Sequence, residues 1–436
     1  MRRQWKKRVW AAAAGILRQL GQYRLAIANF FSLGLLRATD ALVLLFLIPV
    51  IIGRVGIDNF GIIAFVQVFL NYGKTIVGYG FNITGVQAAA LHAQDKRALS
   101  RIFSDILYTR AIIALLAGLG LAALVGFIPY LGGYGPVFFW GYLLILGQVV
   151  YADWLFIGLQ KAQYITAANL ASKLLFAVLV IAFVRQPEDH VFVIGLQGGA
   201  TLATGLLVVG LLKYRYGLFL LPPAAGAIRH YLRSDFKLLL TNLSIEINTS
   251  YSLLVINILT TNALTGYFSV MQKLIQPLRF LLVIFSQALF PLACKKVEKG
   301  WKELLALLRN TLSLFILFPA GATALMFFFA EPLLSFFAGS ADAYLVINFR
   351  LYLFVPLIIL ANIPAYQILL AFGRKSEYSR VYLLGLALNL VASYLLARLY
   401  GLAGLVAALI LVELFITGGL YVMVWRNRKA MQAKNN

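Results

Sequence analysis

The chain is built of apolar blocks of about 20 to 28 residues separated by short polar stretches. That spacing constrains the fold more than any motif does, because 20 helical residues span about 30 Å, the hydrocarbon thickness of a bilayer. In hydrocarbon every backbone N–H and C=O must be satisfied within its own segment or in a closed barrel. The blocks are continuously apolar, without the alternation of barrel strands, so they predict membrane-spanning helices. Composition agrees: 62% of the 436 residues are hydrophobic, 12% are charged and the mean hydropathy is +0.87. Soluble domains run at about 45–50% apolar and about 25% charged. The expected class is an all-α integral membrane protein with about twelve transmembrane helices. Spans are predicted at 30–52, 60–83, 106–129, 137–158, 164–184, 191–212, 236–258, 264–292, 304–328, 344–371, 379–399 and 403–425. Only a short hinge around Lys161 divides 137–158 from 164–184.

The formal charge of +23 suggests nucleic acid until the cations are placed. Assigned to alternate sides of the twelve spans, 29 of the 38 Lys and Arg residues fall on the side holding both chain ends. Only Arg54, Arg185 and Arg398 fall on the other, and six lie within spans. Short basic loops stay cytoplasmic. Both termini are therefore expected in the cytoplasm, the protein in a bacterial-type inner membrane, and no nucleic acid among its partners. Residues 1–29 start like a signal peptide, but the apolar run at 9–14 is short and Arg18 and Arg24 follow at once. They are expected to be an uncleaved basic segment resting on anionic lipid. Residues 30–212 form a first six-helix lobe, 213–235 with Pro222-Pro223 a cytoplasmic linker, 236–425 a second six-helix lobe and 426–436 a cytoplasmic tail. Cys294 is the only cysteine, and His92, His190 and His230 lie in or near loops, so neither an intrachain disulfide nor a metal site is expected.

The two halves share a faint repeat. Gly61 is followed six residues later by Gln67, ten later by Asn71 and thirteen later by Lys74; Gly266 is followed at the same intervals by Gln272, Gln276 and Arg279. Equivalent spans would run in the same direction, the arrangement of two-lobed carriers with a central site. Six prolines fall inside spans (Pro49, Pro277, Pro291, Pro319, Pro356, Pro364), five of them in the second half, where helix geometry or a bending lobe accounts for them.

Ionisable groups inside the membrane are costly unless paired or wet, which makes them the candidate functional residues. There are six cations (Arg37, Lys74, Lys173, Lys273, Arg279, Arg350) and four acids (Asp40, Asp153, Glu246, Glu413). Arg37 and Asp40, three apart on one helix face, can neutralise each other. Asp153 beside Trp154 reads equally as an interfacial group. Lys273 and Arg350 can reach the outer surface and Arg110 is expected to reach the inner one. Lys74, Lys173 and Arg279 lie too deep for that, so a water-filled cavity is expected around them. The stretch Asn242, Ser244, Glu246, Asn248, Thr249 and Ser250 is too polar for a lipid-facing helix and predicts a wet lumen. A cation excess at mid-membrane calls for an anionic ligand, held by charge-assisted hydrogen bonds. An H⁺ or Na⁺ coupling site, if the cycle uses one, would be Glu246, Asp40 or Asp153. No Walker loop, HExxH or GxSxG pattern occurs; neither ATP-driven transport by this chain alone, nor a cofactor, nor enzyme activity is expected.

The run from Ile48 to Gly61, IPVIIGRVGIDNFG, resembles the end of the first helix and the outer loop of the O-antigen and polysaccharide flippases, within the multidrug/oligosaccharidyl-lipid/polysaccharide exporter superfamily. Further matches are Tyr79-Gly80-Phe81-Asn82-Ile83-Thr84, the stretch from Asp153 to Lys161, Asn169 to Lys173, Gly266 to Lys273, and Ser286 to Pro291, in the family's order over most of the chain. The resemblance implies a V-shaped fold of two six-helix lobes around a central cavity. It also implies alternating-access export of an undecaprenyl-diphosphate-linked oligosaccharide, with the diphosphate in a cationic lumen and the prenyl tail in lipid. Carried over on matched motifs, the lumen residues are Lys173, Lys273 and Arg279; Lys74, Arg37 and Arg350 rest on charge alone. Membrane lipids and the polymerase and chain-length proteins of the same pathway are the implied partners. An inside-negative potential favours that export by roughly 2.3 kcal/mol per charge per 100 mV. The rival readings are a multidrug exporter, which wants an acidic pocket; a lipid II exporter, which usually carries two more helices; and a membrane polymerase or ligase, which wants a sizeable outer loop.

Overall fold

The computed structural model describes residue 43, residues 45–224 and residues 226–433. The segment 1–29, Arg37, Asp40 and most of the first expected span lie outside the described residues. The first half of the chain holds α1 (Leu45–Val55), α2 (Ile57–Gly78), α3 (Thr84–Leu91), α4 (Lys96–Phe127), α5 (Gly135–Val150), α6 (Asp153–Gly158), α7 (Ala162–Phe183) and α8 (His190–Tyr216). After α9 (Ala227–Ser234) come α10 (Phe236–Leu259), α11 (Asn262–Val297), α12 (Trp301–Phe315), α13 (Leu317–Phe328), α14 (Ala330–Ala338), α15 (Ala343–Tyr352), α16 (Phe354–Ala371) and α17 (Lys375–Ala433).

Among the described residues nine helical stretches are long and apolar enough to cross a membrane. Each expected span from the second onward overlies a helix. α10 falls short on composition, because Lys237, Glu246 and its amides and hydroxyls replace apolar residues. α17, at 59 residues, would be about 88 Å long if straight. It bends at Gly401, where φ is 59° and ψ −133°, a conformation open to glycine and strained for other residues. The bend separates the stretches expected at 379–399 and 403–425.

Proline sets other breaks. It lacks a backbone donor and its ring clashes with the carbonyl four residues back. α12 accordingly gives way to α13 at Ile316, ahead of Pro319, and α15 to α16 at Leu353, ahead of Pro356. α11 carries Pro277 and Pro291 in one continuous helix. α5 and α6 part at Tyr151-Ala152 with no proline or glycine at the break. Lys161, expected as the hinge, follows Gln160, whose φ is +57°, and rests its ammonium 4.3 Å from the Tyr216 ring.

α2 and α11 carry the centre. α2 packs on α4 and α5 of its own half and on α10 and α11 of the other, while α11 also packs on α12 and α16. The α2–α11 crossing is reciprocal. A methyl group at Gly61 would lie 1.8 Å from the Asn262 carbonyl oxygen, and one at Gly266 2.4 Å from the Ile57 carbonyl oxygen. Ile57 precedes Gly61 by the interval at which Asn262 precedes Gly266, so the contact repeats itself under exchange of the halves. The same offset pairs Asn71 with Gln276 and Lys74 with Arg279. One of the three expected outer cations, Arg54, donates to the carbonyls of Val180, Ile181 and Val184 at 3.0, 2.8 and 2.7 Å. It thereby caps the end of α7, where the Val180 carbonyl also accepts the Val184 N–H.

Candidate functional site

A cavity of about 850 Å³ lies where α2, α10 and α11 face α4, α5 and α6. α2 contributes Asn71, Lys74 and Thr75; α10 contributes Asn242, Glu246, Thr249 and Ser250; α11 contributes Gln272, Lys273, Gln276 and Arg279. Arg110, Gln148 and Asp153 close the remaining side. The described lining holds four cations (Lys74, Arg110, Lys273, Arg279) against two acids (Asp153, Glu246). Asn242, Glu246, Thr249 and Ser250 of the polar stretch thus form one wall of the cavity, while Ser244 donates back to the Leu240 carbonyl of its own helix.

The helix break builds one corner. At Tyr151 the backbone turns extended, with φ −80° and ψ 95°, and frees carbonyls that α5 would otherwise bond. The Arg110 guanidinium donates to the carbonyl oxygens of Tyr151 at 2.8 Å and Gln148 at 3.3 Å, and lies 4.0 Å from Asp153 Oδ1. Arg110 is only 2% exposed, so the expectation that it reaches the inner surface is overturned. The α5–α6 break offers it acceptors that lipid headgroups would otherwise supply. Asp153 faces this corner and lines the cavity.

Across the cavity, Arg279 lies 4.0 Å from Glu413 of α17, its side chain 42% exposed. A second cavity of about 260 Å³ opens behind it, sharing Thr249, Gln272 and Arg279 with the first and lined also by Asn248, Asn389 and Glu413. Lys273 Nζ donates to Ser269 Oγ at 3.4 Å and lies 5.8 Å from the Phe60 ring, so it points inward and does not reach the outer surface. Ser250 donates to Glu246 at 3.0 Å. The charged neighbours of Lys74 are Glu246, Lys173 and Asp153.

Of the cations predicted for the lumen, Lys74, Lys273 and Arg279 line the cavity, and Arg37 lies outside the described residues. Lys173, on α7, is a charge neighbour of Lys74 but does not line the cavity. Arg350 is a packing residue: its Nε donates to the Phe327 carbonyl at 3.2 Å and its guanidinium lies 5.2 Å from the Phe327 ring. Arg110, Gln148, Asn71 and Gln276 also line the cavity, and sequence reasoning assigned none of them to the lumen. Asn71 and Gln276 are matched positions of the repeat, whereas nothing in the sequence marks Gln148 or the break that captures Arg110. Among the described residues no group of three His, Cys, Asp or Glu side chains is placed to hold a metal ion.

Residues 26–297 match the model of a family described as "Polysaccharide biosynthesis protein". The chain belongs to that family. Over 405 residues, 92% of this chain and 97% of the relative, it is 22% identical to an Escherichia coli (strain K12) protein named "Putative O-antigen transporter". The fold is that of solved transporters of the MOP superfamily. The lipid II flippase MurJ in an inward closed conformation aligns with a TM-score of 0.66 at 13% identity, over 92% of this chain and 87% of that one. An inward-facing multidrug resistance MATE family transporter aligns at 0.64 and 14% identity, over 90% of this chain and 98% of that one. The family match spans Lys74, Arg110, Lys273 and Arg279 and ends at the close of α11, so Arg350 and Glu413 lie beyond it.

Proposed function

We propose that this family member is a flippase that exports a diphosphate-linked, prenyl-anchored oligosaccharide, an O-antigen or related repeat unit on undecaprenyl diphosphate, from the cytoplasmic to the periplasmic leaflet. The observation that carries the reading is the cavity in which repeat-matched Lys74 and Arg279 both stand, on helices that cross reciprocally at Gly61 and Gly266. Four cations against two acids favour an anion over the cationic drugs of a multidrug exporter. Lysine and arginine bind phosphate oxygens as charge-assisted donors, and the surrounding amides and hydroxyls suit a sugar. The O-antigen naming of the relative and the flippase fold support the same substrate class. In this reading the two halves are lobes that rock about the α2–α11 crossing, both termini are cytoplasmic, and the membrane is the bacterial inner one.

The experiment is complementation of surface glycan in cells lacking their own flippase, with lipid-linked units assayed on each leaflet. Removing one cation should cost roughly 1.5–3 kcal/mol of head-group binding, about ten- to a hundredfold. Lys74→Ala with Arg279→Ala should nearly abolish export, leave expression intact and trap whole units inside. Lys74→Arg should be better tolerated than Lys74→Ala. Full export by the double variant, or single units displayed outside as a blocked polymerase would leave them, contradicts the proposal. Cysteines after Gly133 and Ala338 should label from outside and those after Lys96, Arg229 and Lys299 from inside; reversal contradicts the orientation.

A further inference from the structure

Between the end of α8 and the start of α10 the chain sorts its charges. Residues 213–235 contain four Lys and Arg residues and a single acid, Asp235. Lys213, Arg215, Arg229 and Arg233 are exposed, as is His230. Asp235 is turned inward: it is 2% exposed and accepts hydrogen bonds from Thr84 at 2.6 Å and Ser234 at 2.8 Å. The outer face of this segment is therefore cationic. On α9, Arg229 and Arg233 stand one turn apart and, with Gly226, His230 and Ser234, shape a hollow of about 490 Å³.

This face is fixed to the rim of the central cavity. Tyr79 Oη donates to the Leu232 carbonyl at 2.8 Å, and the Phe81 ring packs edge-on against Tyr231 at 5.5 Å. Tyr79 and Phe81 lie in sequence between the cavity-lining Gly78 and Asn82. On the other side, Asp235 leads directly into α10 and its lining residues Asn242 and Glu246. The segment before α9 is strapped to α4: Ser100, Ser104 and Asp105 accept the backbone N–H groups of Phe219, Leu221 and Ala224 at 3.3, 2.8 and 3.0 Å, and the Arg101 guanidinium donates to the Pro222 carbonyl.

We infer that the Arg229/Arg233 hollow on α9 is a loading site that takes the diphosphate of a prenyl-anchored lipid at the cytoplasmic rim, before the head group enters the central cavity. The inference rests on the flippase reading and its orientation. Two guanidinium forks one turn apart match two linked phosphates better than a single phosphodiester, because each fork can hold one phosphate through paired donors. A patch serving only as a cytoplasmic retention signal needs neither a hollow nor a rigid attachment to the cavity rim.

The test measures equilibrium binding of radiolabelled farnesyl diphosphate to the purified full-length protein in detergent. Wild type should show two sites. Arg229→Gln with Arg233→Gln should weaken one of them by about tenfold or more, in line with loss of a charge-assisted contact. The corresponding double Lys variant keeps the charge but loses the forks and should bind between wild type and the double Gln variant, and Lys74→Ala with Arg279→Ala should keep that site while losing the other. Phosphatidylglycerol at tenfold excess should not displace the probe. Wild-type binding by the double Gln variant overturns the inference, and so does displacement by phosphatidylglycerol, which would make the patch a general anionic-lipid contact. Loss of the cavity site alone tests the flippase reading separately, so the two can fail independently.

Discussion

Arg110 and Arg279 stand on opposite walls of one cavity, each 4.0 Å from a carboxylate. Arg110 is buried, with its Nη1 donating to the Tyr151 and Gln148 carbonyls that the α5–α6 break exposes. Arg279 keeps 42% of its side chain open, on a helix with prolines before and after it, and has a second polar cavity behind it. The same pair of groups thus serves as a lock in the first half and as an available donor in the second. Burial and the supply of backbone acceptors make the difference.

The largest expected effect would break that contrast if it failed to appear. Arg110→Ala leaves two carbonyls and Asp153 unpaired and should cost about 3–5 kcal/mol of stability, read as a fall in melting temperature and membrane yield. Arg279→Ala removes a half-open pair and should cost within about 1 kcal/mol. Equal losses would show that the two arginines do the same job.

Next in size is the crossing on which the two halves meet. Gly61→Ala and Gly266→Ala each drive a methyl group into a backbone carbonyl and should cost about 1–3 kcal/mol by overpacking. Gly53→Ala, where nothing lies within 4 Å, should be close to neutral. A large asymmetry between Gly61 and Gly266 in thermal unfolding would argue against a reciprocal contact.

The smallest effect concerns coupling. Glu246 lines the cavity beside Lys74, and Glu246→Gln should insert and bind normally while export loses its response to a pH or sodium gradient. An unchanged response would leave Glu246 as a hydrogen-bond acceptor for Ser250.

The spans were legible because hydrophobic length is a one-dimensional property, and so was the wet face of α10, because six polar residues in nine cannot face lipid. Direction around the helix was not: Lys173 and Lys74 read alike from hydropathy, yet only Lys74 reaches the cavity. Arg350 reads as able to reach the outer surface but finds a carbonyl and a ring within its own bundle. Arg110 was misread because its partners are backbone atoms, released by a break at Tyr151-Ala152 that no proline or glycine announces. Asn71 and Gln276 carry no charge, and only the repeat placed them at equivalent positions.

The central claim is that Lys74 and Arg279 hold one ligand between them. A double-mutant cycle on the affinity of the purified protein for farnesyl diphosphate at the cavity site tests it, using Lys74→Ala, Arg279→Ala and the pair. Each single change should weaken binding by about ten- to a hundredfold, and the double loss should differ from the sum of the single losses by about 0.5 kcal/mol or more. Strict additivity, or a single variant that binds as wild type does, would mean that the two cations do not share a diphosphate.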